Sequence, residues 1–181
     1  MHEFPSGDGV RHPLYTPEDN KDFVQISKNN SAELIARAGE IKQLAVVDLI
    51  DATALGLIVD KNDGTKVGYI QQFDFGMGPI ALKKLNQNVQ DYKLNSIGRI
   101  QALILLPFFG ENADSTRDKS YIEAFDTAQL LSQELLWHLG PAINVGVTDY
   151  FSKNYGESSS LMIELSSNDS SGFYLNGNKV D

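Results

Sequence analysis

With 181 residues, 41% of them hydrophobic, the chain can bury a substantial core without covalent staples. It has no cysteine, which excludes disulfides, thiolate catalysis and cysteine-ligated metals, and no apolar run approaches the roughly 20 residues of a membrane span. Twenty-four acidic residues against 15 basic ones give a formal net charge of −9. The basic residues are scattered, with Lys83-Lys84 the densest pair, so a basic groove for nucleic acid is not expected.

Residues 1–20 hold three prolines and two glycines without any period, an irregular arm ahead of a single domain over 21–181. They show no basic start and no apolar stretch, so synthesis in the cytoplasm is expected. Asp22 to Ser27 fits a short strand. Asn30 with Glu33 resembles a capping box and predicts a helix through Leu34, Ile35, Ala38 and Ile41. Leu44 to Ile50 and Leu55 to Val59 are apolar and partly β-branched, as strands are. Asp60 to Gly64 supplies a hairpin turn, and Lys66 to Phe75 returns. Pro79 to Val89 predicts a short helix with Ile80, Leu82, Leu85 and Val89 inward, and Ile100 to Phe109 a buried strand.

The best-marked segment is a helix that opens at Ser120, with Glu123 placed to complete a capping box, and stops at Gly140-Pro141. Ile122, Phe125, Ala128, Leu131, Leu135 and Leu139 recur along it at steps of three and four, one apolar face. Ala142 to Val147 follows as a strand. Leu161, Ile163 and Leu165 alternate with polar neighbours, a half-exposed strand that Asn168 to Gly172 turns into Phe173 to Leu175. These elements together predict one α+β domain: a mostly antiparallel sheet packed by one long and two shorter helices.

No constellation with an established chemistry emerges. His2 and His12 sit in the arm with Glu3 and Asp8 at no ligand spacing, and His138 lies in the last helical turn, where a cation complements free carbonyls. Asp60 and Asp63 belong to the turn. Asp48 and Asp51 would point to opposite faces of a continuous strand, converging only if the chain bends near Ile50. Gly76-Met77-Gly78-Pro79 follows a strand as a phosphate loop would, but lacks the third glycine of the dinucleotide fingerprint and the Gly-Lys-Ser/Thr of a P-loop. No catalytic string is present, so neither an enzyme nor a cofactor or metal site is expected.

The features left over point to assembly. Polar arms at both ends carry Tyr15 and Phe173, and Phe108-Phe109 puts bulky apolar groups where a core strand should be leaving the core. Tyr15, Phe108, Phe109 and Phe173 are therefore the interface candidates. The order of hairpin, long strand, amphipathic helix and returning strands over Leu44 to Leu165 resembles the neck and tail proteins of tailed bacteriophages, of the tail-terminator or tail-completion type. That resemblance implies a non-enzymatic subunit of a homo-oligomeric ring. It would be made in the bacterial host cytoplasm, would contact itself and neighbouring virion proteins, and would bind neither a membrane nor specific nucleic-acid sequences. The alternatives are a small ligand-binding or enzymatic domain with a cleft near Asp74 to Met77, and an acidic adaptor or immunity-type protein meeting a basic partner.

Overall fold

The computed structural model describes residues 22–26, 30–49, 52–74, 83–87, 96–108, 115–139, 143–151, 159–166 and 171–180. In chain order these form β1 (Phe23–Ile26), β2 (Ser31–Ala36), β3 (Ile41–Leu49), β4 (Ala52–Lys61), β5 (Lys66–Asp74), the short helix α1 (83–87), β6 (Ser96–Phe108), α2 (Ser115–Leu139), β7 (Ile143–Phe151), β8 (Ser159–Ser166), β9 (Gly172–Leu175) and β10 (Asn178–Val180). The strands make two five-stranded sheets, an outer one ordered β1-β3-β8-β9-β10 and a central one ordered β2-β5-β4-β6-β7.

The central sheet is covered on both faces. On one, Leu55, Leu57, Ile100, Ile104 and Ile143 pack against Ala128, Leu131 and Leu135 of α2. On the other, Ile58, Ile70, Leu103 and Leu105 meet Leu44, Val46, Leu161 and Ile163 of the outer sheet. β4 is accordingly buried from Ala52 to Val59, the continuous apolar run of a doubly covered strand. Two glycines let the sheets approach: a Cβ on Gly56 would stand 2.8 Å from the Phe173 ring, and one on Gly68 3.1 Å from methyls of both Leu44 and Leu165. The chain changes sheets between β3 and β4. Just before, the β3–β8 register slips at a bulge where Asp48 takes φ 57°, which brings Leu49 back to the inner face after Val47 and Asp48.

The fold class expected from the sequence is corrected. The protein is mostly β, with two sheets instead of one and two helices in the described residues instead of three. The expected helix from Asn30 is β2, because Ala32, Leu34 and Ala36 alternate inward with Ser31, Glu33 and Ile35 and the segment pairs with β5. Period two with a sheet edge to join outweighs a capping-box resemblance. β7 joins β6 in parallel across α2, and β1 joins β3 in parallel, so the sheets are mixed. β8 is buried throughout instead of half-exposed. It is the centre of the outer sheet, and its far side holds Met162 against Phe23 and Ala45, beside a buried Glu164 that accepts a 3.0 Å bond from Gln43 Nε2. The β9–β10 hairpin was not expected. Its turn is Asn176-Gly177, both at positive φ, the commonest two-residue hairpin signal. The β4–β5 hairpin, β6 and β7 fall where expected.

Candidate interaction surface

α2 begins at Ser115, ahead of the expected Ser120, so Ser120 lies inside the helix. Its C-terminal half is anchored by Ala128, Leu131 and Leu135, which lie on β6 and the start of β7. At 100° per residue these three cover one narrow stripe. Ile122 and Phe125, expected on that stripe, are exposed at 59% and 43%, since the angle from Ala128 carries them round the helix. Leu130, Leu136 and Trp137 are exposed as well, Trp137 at 84%. Five large apolar side chains thus stand on the solvent side of one helix, with Val147 of β7 exposed on the same side of the central sheet.

Two further exposed apolar side chains lie elsewhere. Ile35 on β2 and Ile41 at the start of β3 are both exposed. β2 is the edge of the central sheet next to β5, whereas α2 packs on β6 and β7 near the other edge. Between Ile35 and Ile41 runs a turn in which the Arg37 amide donates to Glu40 Oε2 at 2.8 Å. That bond, with Lys42 and the Arg37 charge assisting, holds the Glu40 carboxyl below its ordinary range.

Among the residues singled out from sequence, Phe173 is buried between the sheets and is core, not surface. Phe108 ends β6 and pairs with Phe151, while Phe109 and Tyr15 lie outside the described residues. Asp48 is half-buried at the bulge, and Asp51 is outside the description, as are His2, His12 and Gly76 to Pro79. Asp60 pairs with Lys66 at 3.1 Å, and Asp63 accepts from both the amide and the hydroxyl of Thr65, which lowers its carboxyl's pKa. Asp74 ends β5 opposite Ala52. Among the described residues no three histidine or acidic side chains gather as a metal would need, and no helix is long and apolar enough to cross a membrane.

Among the described residues, the largest resolved pKa shift belongs to a core side chain. Tyr69 on β5 donates to Gln71 Oε1 at 2.8 Å. Burial pushes its phenol up to about 12, partly opposed by the Ser31 hydroxyl and reinforced by Glu33. A cleft of about 590 Å³ opens between the sheets at the end of β4–β5 that carries Asp60 and Lys66; the cleft of the alternative reading, near Asp74 to Met77, belongs to the opposite end of β5, and Met77 lies outside the described residues.

The outer face of α2 had a signal in the sequence. Leu130-Leu131 and Leu135-Leu136-Trp137 are adjacent apolar residues, and neighbours on a helix cannot all enter one narrow stripe. No protein-family model matches this chain, and no curated protein matches it.

Proposed function

We propose that this chain is a non-enzymatic structural subunit that assembles head to tail with copies of itself. The observation that carries the reading is the outer face of α2, where Ile122, Phe125, Leu130, Leu136 and the 84%-exposed Trp137 stand in solvent. Exposed apolar groups clustered on one element mark interfaces, and tryptophan is the side chain most often found at their energetic centre. A head-to-tail contact needs two different patches on each subunit, and closes into a ring when the rotation allows. Ile35 on β2, the far edge strand of the central sheet, and Ile41 at the start of β3 in the outer sheet supply the second surface. A net charge of −9 keeps such a subunit soluble before it assembles.

The setting we assign is the neck or tail of a tailed bacteriophage. Its support is the order of elements, with the β4–β5 hairpin, the long β6, α2, and then β7 and β8 in succession. Light scattering after size exclusion, with electron microscopy of the same fractions, tests both halves of the reading. Wild type should run as a discrete oligomer with closed rings. The Leu130→Glu/Trp137→Glu variant should run as a monomer that melts like wild type. A wild type that stays monomeric at high concentration would overturn self-assembly, and open or irregular oligomers would overturn the ring.

A further inference from the structure

The cleft between the two sheets owes its existence to an offset. Two rows of residues cross the central sheet on its inner side, Gly68-Ile58-Gln101-Asn144 and Ile70-Gly56-Leu103-Gly146, from β5 to β7. The β5–β4 ends of both rows are covered by the outer sheet, with Gly68 under Leu44 and Leu165 and Gly56 under Phe173. Cover gives out towards β7, where Gln101 is half-buried and Asn144 and Gly146 are exposed, β10 being the last strand of the outer sheet. Just there the side chains change from apolar to amide. Gln101 and Asn144 stand side by side in register, over a floor of Leu103 and Gly146 with Phe173 and Val180 as the wall.

The charge in this cleft is reversed from that of the chain. Twenty-four acids face 15 bases in the whole sequence, but among the described residues the cleft is lined by Lys66, Arg99 and Lys179 against Asp60. Lys66 is occupied by Asp60, although the contact lacks hydrogen-bond alignment and leaves the buried Asp60 Oδ1 without a donor. Arg99 on β6 and Lys179 on β10 therefore put one cation on each of the two sheets that bound the cleft, neither with a carboxylate partner among the described residues.

We propose that this cleft binds a small organic acid, its carboxylate held at the rim by Arg99 and Lys179 and its apolar body lying on Leu103, Gly146 and Phe173. A guanidinium matches a carboxylate in geometry as well as charge. The neighbouring amides of Gln101 and Asn144 supply further donors, and a volume of about 590 Å³ suits a small molecule. The apolar floor distinguishes this ligand from a bare inorganic anion. The site is separate from the α2 surface and does not depend on assembly.

Titration of the full chain with hexanoate, hexanol and inorganic phosphate, followed by ligand-observed NMR, separates head from body. Hexanoate should bind saturably and at least about tenfold more tightly than hexanol or phosphate, since each lacks one half of the recognition. Arg99→Gln should weaken hexanoate about tenfold or more, and Gly146→Leu, which fills the floor, should abolish binding. Asn144→Leu provides a second way to block the cleft should the first variant not fold. Lys83→Gln, an exposed cation on α1, should bind as wild type does. Phosphate binding as tightly as hexanoate would overturn the organic-acid assignment. Absence of saturable hexanoate binding, or equal losses in Arg99→Gln and Lys83→Gln, would overturn the site.

Discussion

At Gly56 the closeness of the two sheets rests on a missing side chain. A methyl group there would stand 2.8 Å from the Phe173 ring, so Gly56→Ala should cost about 1–3 kcal/mol in urea melts, as overpacking generally does. Because the two residues share one space, Phe173→Leu should relieve part of that loss, and the double variant should cost less than the sum of the singles. Tyr69 sets the response to alkali. Its phenol titrates near pH 10 in an unfolded chain and at about 12 in the fold. Below the first value it is protonated in both states. Between the two, the unfolded chain releases a proton that the folded chain keeps, so stability falls as pH rises, by up to about 1.4 kcal/mol per pH unit. Tyr174, also raised by burial and by the Glu164 charge, adds to the same fall. Urea melts across that window should show a slope that Tyr69→Phe flattens, and an unchanged slope would remove Tyr69 as its source. Neither behaviour was legible in the sequence, since Gly56 and Tyr69 look like any strand residues until the strand opposite is known.

Among the elements, α2 has two faces with separate tasks. Leu131→Ala and Leu135→Ala should each cost about 2–5 kcal/mol, because both side chains are fully buried against β6 and β7. Ile122→Ala and Trp137→Ala should leave the melting of the monomer nearly unchanged, being exposed. Comparable losses at all four positions would show that the helix is buried all round. The end of this helix at Leu139 was legible from Gly140-Pro141, and the β4–β5 hairpin from Asp60 to Gly64, because both depend on local backbone chemistry. β2 was not legible. Asn30 and Glu33 fit a capping box, and only pairing with Lys66 to Gln71 decides for a strand. β8 is illegible for a related reason: Ser160, Glu164 and Ser166 alternating with leucine and isoleucine suggest a wet face, but they and Met162 are buried in the outer sheet. Strand content depends on distant partners in a way that helix termini do not.

For the whole molecule, the central claim is that α2 is incomplete without another copy of the chain. The sequence pointed to assembly through Phe108, Phe109, Tyr15 and Phe173, and of these Phe173 turned out to be core. The exposed apolar surface lies instead on the helix that was expected to face inward, where among the described residues Ala128, Leu131 and Leu135 form the buried stripe against the central sheet. Trp137 is the chain's single tryptophan and stands 84% exposed on that surface, so its fluorescence reports the interface with no label. The measurement is its emission and its quenching by acrylamide across a dilution series, with molecular mass followed in the same samples. Self-association through α2 requires the emission to move to shorter wavelength, and quenching to weaken, as concentration and mass rise together. Solvent-exposed emission and full quenching at every concentration, whatever the mass does, would contradict it.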